Sequence, residues 1–404
     1  MSVPEPPEAA PAGVIATVPG VAGLPAEPAF TSAGAIALPA VDPDRHLSDD
    51  AAALVARGLA GETRAAYERH WGPFERWCRL RGRTALAASA ETLAEYVHHL
   101  TQTTTQYGGA PSPSTINHVL GCIQAVHKHT GQVCDVRLAR LALRAYRRDA
   151  AAAGPTADSG DGSARGAERG RRRSAPIAVA QLRTLVHAIL AAVGAGRMHP
   201  VKGQRDHVAL VLAFAMASRA SEVAALDIAD LSFSDRGVTV TVRSSKTDQD
   251  AVGALVHIKY AKHLETCPVR LTQAWIDTLA AHGITSGRLL RGIDRSGRLA
   301  GTPGYAGRTR PDGTAAPMTN DALNNLLRTA VQLAQATDPY HDLEDTDRYS
   351  WHGLRAGFAT SAAEGGAAPT AIADHGRWKG LLMVMHYWRS GTAWANNALD
   401  KIDL

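Results

Sequence analysis

The stretches 352-HGLRAGFATSAAEGG-366 and 376-GRWKGLLMVMHYW-388 govern the reading of this chain. Their spacing predicts helices over about 352–365, 369–375 and 380–389. On the first, His352 and Arg355 stand three residues apart and share a face. On the last, Tyr387 follows Met383 and Met385 along an amphipathic segment. The apolar run 208-VALVLAFAM-216 precedes Arg219-Ala220-Ser221-Glu222, so Arg219 and Glu222 also share a face at the end of a helix predicted over 204–218. None of these clusters is informative alone. With 17 His and 36 Arg in 404 residues, chance gives roughly 1.5 His-x-x-Arg matches, and the chain has two, the other being His386 with Arg389.

Around this stretch lies a segment of mixed type. A helix is predicted at 178–193 and strands at Leu226–Phe233, Val238–Arg243 and Ala254–Ile258, the middle one alternating Val-Thr-Val-Thr-Val. The polar run 244-SSKTDQD-250 reads as a hairpin tip and carries Lys246. Further helices are expected at about 268–283 and 319–336. A mostly helical region with one small antiparallel sheet is an α+β domain, placed at 177–404. Residues 47–150 read as a separate helical domain. One helix, with Thr63 as a possible cap, bears Tyr67, Trp71, Phe74, Trp77 and Cys78, and Gly72-Pro73 should kink it. Others carry Leu93, Tyr96, Val97 and Leu100; Ile116, Val119, Leu120, Ile123 and Val126; and Val136, Leu138, Leu141, Leu143 and Tyr146. Between the domains, 151–176 reads as a flexible basic linker ending in Arg171-Arg172-Arg173. Residues 1–46 read as a disordered Pro/Ala-rich tail, with nine prolines in the first 44 positions.

Composition excludes several classes. Four cysteines, Cys78, Cys122, Cys134 and Cys267, cannot frame a disulfide scaffold, and no CxxC pair points to a structural zinc site. No run of 18 apolar residues predicts a membrane span, and the first 44 residues lack the basic start of a signal peptide. A cytoplasmic protein is expected. The net charge of +5 is unevenly placed: residues 1–44 carry −5, so the rest carries +10. A basic body, with 36 Arg against seven Lys, suits a partner rich in phosphates.

The ordered set matters more than its parts. Two Arg, a Lys and a His meeting at one point would be costly without an anion between them. A phosphodiester supplies that anion, and its non-bridging oxygens match two guanidinium forks. Arg219-Ala-Ser-Glu-Val, Lys246-Thr-Asp, His352-Gly-Leu-Arg355, Gly376-Arg-Trp378-Lys and His386-Tyr387-Trp, taken in this order, resemble the tyrosine recombinase (phage integrase) family with a Cre-like or Xer-like catalytic domain. The intervals of nine residues from Trp378 to Tyr387 and 32 from Arg355 to Tyr387 suit that family. The resemblance spans about 47–404 and implies a mainly α architecture: a helical, SAM-like core-binding domain at 47–150 and an α+β catalytic domain. Two departures stand out. Ala217 occupies a place where the family often has Gly, and Trp378 stands where His is commoner, with His375 three residues earlier as the alternative.

The resemblance assigns Tyr387 as nucleophile, Arg219 and Arg355 as the phosphate clamp, Lys246 as general acid, His352 as acid/base or hydrogen-bond partner and Trp378 as a hydrogen-bond donor. Glu222 would orient Arg219. Tyr305, Tyr340 and Tyr349 precede the His-x-x-Arg and do not fit the order. The implied reaction is transesterification through a 3′-phosphotyrosyl intermediate and a Holliday junction. It needs no cofactor, neither metal nor ATP, and it works on double-stranded DNA with paired sites in a homo-tetramer associated with the nucleoid. The residues after Tyr387, with Trp394, Leu399 and Ile402, would dock on a neighbouring subunit or on their own domain. Two alternatives share these residues: relaxation of DNA in the manner of a type IB topoisomerase, and a catalytically silent DNA-binding module.

Overall fold

The structure, a computed structural model, describes residues 48–58, 61–105, 108–152, 174–243, 253–338 and 342–392. The Pro/Ala-rich tail, all but the ends of the basic linker, Lys246 and its polar turn, Tyr340 and the C-terminal Trp394, Leu399 and Ile402 lie outside these residues. The chain divides between residues 172 and 173 into two compact units.

Among the described residues, five helices build the first unit: α1 (Asp49–Arg57), α2 (Gly61–Leu80), α3 (Ala90–Thr101), α4 (Pro113–His129) and α5 (Arg137–Ala152). Side-chain caps start two of them. The Ser89 hydroxyl accepts from the Thr92 N–H at 3.2 Å and that of Ser112 from the Thr115 N–H at 3.1 Å, satisfying amides that have no partner within the helix. Trp71, Phe74, Trp77 and Cys78 of α2 pack with Leu93, Tyr96 and Val97 of α3, Ile116, Val119, Leu120 and Ile123 of α4, and Leu143 of α5 in one core. Buried His127 ties the loop before α3 to α4: the Ala88 N–H donates to its Nε2 at 3.1 Å, and its Nδ1 reaches the Ile123 carbonyl at 2.8 Å.

Two expectations change here. Helix α2 begins at Gly61, so Thr63 lies in its first turn instead of capping it. Pro73 lies inside the helix, with the buried aromatic stripe continuing on either side. Leu138 and Leu141 are exposed, because Val136 just before α5, and Ala139 and Leu143 within it, turn inward at three- and four-residue spacing and leave those two leucines beside the stripe.

The second unit contains α6 (Val179–Gly194), α7 (Pro200–Ala215), α8 (Ala220–Ala225), strands β1 (Leu231–Ser234), β2 (Gly237–Val242) and β3 (Ala254–Lys259), then α9 (Pro268–Ala281), α10 (Asn320–Thr337), α11 (His352–Glu364), α12 (Pro369–Gly376) and α13 (Leu381–Gly391). The strands form an antiparallel sheet in the order β1-β2-β3, with Val240 paired to Leu231 on one side and Val256 on the other. The Val-Thr alternation works as read: Val238, Val240 and Val242 are buried, whereas Thr239 and Thr241 face outward. Helix α7, apolar along most of its length, lies within the main core, flanked by α6, α9 and α11. The fold is therefore mainly α, with an α+β second unit.

The strand expected from Leu226 starts only at Leu231. Residues Ile228–Asp230 form a 3-10 turn instead. There Asp227 and Asp230 bind Arg243 at 2.9 and 2.7 Å, and Asp227 also binds Arg288 at 3.0 Å. Among the described residues, no helix is long and apolar enough to cross a membrane.

Candidate active site

Helix α11 is placed by an unusually close backbone approach. The Ile177 N–H donates to the Gly353 carbonyl at 2.9 Å, and a Cβ added at Gly357 would meet the Ile177 carbonyl oxygen at 1.8 Å. Only glycine at 357 lets the helix rest against the chain segment leading into α6. The opposite side of α11 carries Arg355 to the end of α7.

The turn after α7 differs from the sequence expectation. Helix α7 stops at Ala215, and Arg219 is the N-cap of the separate short helix α8. Ala217 adopts φ +46, the left-handed conformation that glycine accepts most easily. Its carbonyl accepts a hydrogen bond from Nη1 of Arg355. The alanine thus makes the turn for which the family often uses glycine, and the turn directs a backbone oxygen at the buried guanidinium.

Glu222 is buried and joins two arginines. Nη1 of Arg219 donates to its Oε1 at 2.6 Å, Nη2 of Arg377 donates to its Oε2 at 2.8 Å, and the Arg219 N–H donates to Oε2 at 3.1 Å. Burial alone would raise this carboxyl, but the charge of Arg377 and the hydrogen bonds from Arg219 bring it below the usual value. It is ionised at neutral pH. Arg377 was not singled out in the sequence. It closes α12 at φ +58, and its Nη1 also donates to the carbonyls of Met216 and His375. No local motif marks it, since its acidic partner lies 155 residues away.

Arg355 is 1% exposed. Burial first, and then the positive charge of Arg219, push its pKa down to about 9, which leaves it charged at neutral pH. Its buried Nη2 has no hydrogen-bond partner among the described residues. The Trp378 ring covers the guanidinium, with Cζ 3.9 Å from the ring centroid. Gly376 makes room for that ring, because a Cβ there would lie 1.8 Å from it.

His352 projects from the start of α11, and its Nε2 lies 3.3 Å from the Tyr387 hydroxyl. Its outer edge is open to solvent. Even so, desolvation on the inner side, followed by the charges of Arg355 and Arg219, holds its pKa below the ordinary histidine value. The Trp378 and Tyr387 rings are 6.2 Å apart. Arg219, Arg355, His352, Trp378 and Tyr387 are thus gathered in one place, with Glu222 behind them. His375 is turned away from them: its ring stacks on Phe358 at 4.6 Å, and its Nε2 reaches the Ala215 carbonyl at 2.7 Å. Tyr349 is also engaged elsewhere, its hydroxyl accepting from the Glu344 N–H at 2.9 Å.

Chemically, the arrangement is a buried, cation-rich recess with an unspent guanidinium N–H and a phenol hydrogen-bonded to an imidazole. Such a recess suits a phosphate anion attacked by the phenol oxygen.

The model of the phage integrase family matches residues 181–393. The integrase/recombinase xerD homolog of Selenomonas ruminantium is 26% identical over 366 residues, covering 90% of this chain and 91% of that protein. Among solved structures, the Tn1549 transposon integrase in complex with circular intermediate DNA is 17% identical, covering 82% of this chain and 90% of that one, with a TM-score of 0.48. A lambda integrase dimer bound to a COC′ core site is 13% identical, covering 87% of this chain and 77% of that one, with a TM-score of 0.47.

Proposed function

The chain belongs to the phage integrase family, and from this we propose how its residues carry the site-specific recombination of DNA that defines the family. The enzyme is a DNA strand transferase that cuts and rejoins DNA at recombination sites. In our reading Tyr387 attacks the scissile phosphorus, forms a 3′-phosphotyrosyl bond and displaces a 5′ hydroxyl. Attack by a second 5′ hydroxyl then reverses the step and releases the tyrosine. One ester replaces another at each stage, so no external energy source is needed.

The observation that carries this reading is Arg355: a buried guanidinium whose Nη2 has no hydrogen-bond partner among the described residues, covered by Trp378, in the same recess as Tyr387. Arg219 and Arg355 bind the non-bridging oxygens and stabilise the charge that builds up in the transition state. Glu222 and Arg377 hold Arg219 in place. His352, neutral at pH 7, takes the phenol proton through the 3.3 Å contact to Tyr387. The Trp378 indole N–H contributes one further donor to the phosphate. Lys246, on the segment joining β2 to β3, protonates the departing 5′ oxygen.

We assign residues 47–150 as the core-binding DNA-binding domain, 151–176 as a basic strap along the phosphate backbone and 177–404 as the catalytic domain. The working form is a homo-tetramer on two DNA sites, resolved through a Holliday junction, in the cytoplasm at the nucleoid.

The test is a suicide substrate, nicked beside the scissile phosphate, built on the DNA site that the protein selects from a random library. The wild-type chain accumulates a covalent adduct and Tyr387→Phe forms none. Adduct formation by the phenylalanine variant would overturn the assignment.

A further inference from the structure

We propose that the first unit contains a transition-metal site, formed by His70 of α2 with His118 and Cys122 of α4, that takes a zinc ion. One nitrogen from each imidazole and the Cys122 Sγ all lie within 4.8 Å of one another. His118 and Cys122 are four residues apart on one helix face, and Sγ lies 3.8 Å from the His118 Nε2. Zinc bonded to sulfur at about 2.3 Å and to nitrogen at about 2.05 Å sets a tetrahedral edge of ~3.6 Å between those two atoms, close to the separation found. The two edges to His70 lie within 4.8 Å, so its ring nitrogen must close by at most about 1.4 Å through side-chain rotation, given the ~3.4 Å that two nitrogens and the ~3.6 Å that a nitrogen and a sulfur span around zinc. The two rings already meet edge to face, with centroids 5.3 Å apart.

Burial is graded as a bound ion requires. Cys122 is buried, His70 is half-buried and His118 is exposed, so the ion would enter from the solvent side and keep water as its fourth ligand. Two imidazoles and one thiolate are also the soft and borderline donors that favour zinc over magnesium or calcium. On binding, the Cys122 S–H bond breaks, a sulfur–metal bond forms and the proton passes to solvent. The ion would cross-link α2 to α4. The absence of a CxxC pair does not bear on this site, because two ligands are spaced along one helix and the third comes from another, 48 positions before His118. The site is separate from the phosphate chemistry, whose described residues all belong to the second unit.

The reduced, metal-stripped full-length chain is titrated with cobalt(II), and zinc chloride is then added. The expected result is one cobalt per chain with a thiolate-to-cobalt charge-transfer band, which zinc abolishes. Cys122→Ser should remove the band. His118→Ala and His70→Ala should each weaken cobalt binding at least ~10-fold, the least that loss of a supporting partner causes at such sites. Zinc should also raise the melting temperature of the wild type but not of His118→Ala. His118 is exposed, so its variant keeps the fold even if Cys122→Ser does not. A wild-type spectrum without a thiolate band, a band that survives Cys122→Ser, or unchanged cobalt affinity in His118→Ala would overturn the proposal.

Discussion

Arg355 and Tyr387 face the same recess but are held very differently. Arg355 comes from α11, which rests by close backbone contact on the segment before α6, beside a core that includes Trp351, Leu354 and most of α7. Its neighbours Arg219, Glu222 and Arg377 form a closed set of ion pairs at 2.6 and 2.8 Å. Tyr387 comes from α13, whose buried support is a separate cluster of Ala359, Ala363, Ile372, Ala373 and Val384. Three of those five are alanines, and Leu381, Leu382 and Met383 at the start of α13 are exposed. With about 25 cal/mol for each Å² of apolar surface buried, so small a cluster secures its helix far less firmly than the main core secures α11. The proposed phosphate-binding half is therefore built in advance, and Tyr387, the proposed nucleophile, is carried on a less firmly packed element.

The largest expected effect lies on the rigid side. Arg355→Ala removes a preorganised donor from the recess and should lower the single-turnover cleavage rate by about 10²–10³-fold, measured on the suicide substrate. A loss smaller than tenfold would mean that this guanidinium does not touch the phosphate. Val384→Ala probes the soft side. Removing two methyl groups from a fully buried site should cost on the order of 1–2 kcal/mol, most of it confined to α13. Hydrogen exchange should then speed up across 381–391 while α11 keeps its protection. Equal loss in both helices would show that they open together and would erase the contrast drawn here.

Two histidines, His352 in the recess and His375 behind it, account for a pH effect of intermediate size. Burial lowers the pKa of His352 and of His375, so the unfolded chain binds protons that the folded chain refuses. Stability should therefore be greatest above the ordinary histidine range and fall as the pH drops through about 6.5. Thermal melting between pH 8 and 5.5 should show this slope, and His352→Gln should make it shallower. The smallest effect concerns the turn. Ala217 pays on the order of 1 kcal/mol for its positive φ, so Ala217→Gly should gain part of that, less the packing of one buried methyl. A rise in melting temperature of about 1–3 °C is expected. A fall would show that the methyl contact outweighs the strain.

Much of this was legible in the sequence because it depends on local periodicity and order. The Val-Thr alternation gave β2, the spacing of Ile116, Val119, Leu120, Ile123 and Val126 gave α4, and the order Arg, His-x-x-Arg, Trp, Tyr brought five described residues to one recess. What escaped depended on contacts between distant positions. Helix α8 is six residues long and is defined by the Glu222 carboxylate folding back on the Arg219 N–H, which spacing alone presents as the end of the preceding helix. Arg377 gains its role only when α12 is set beside α8. Leu138 and Leu141 looked like core because they are leucines in an amphipathic segment, but helix phase places them beside the buried stripe. The choice between Trp378 and His375 rested on a nine-residue interval, and the stacking of His375 on Phe358 supplies an independent physical reason for it.

The account depends most on which oxygen becomes joined to DNA. The covalent complex trapped on the suicide substrate can be digested with protease and its DNA-linked peptide sequenced by mass spectrometry. The account predicts a single modified residue, Tyr387, joined to a 3′ phosphate. Attachment at Tyr349, Tyr305 or any other side chain, or strand cleavage with no attached protein, would contradict it.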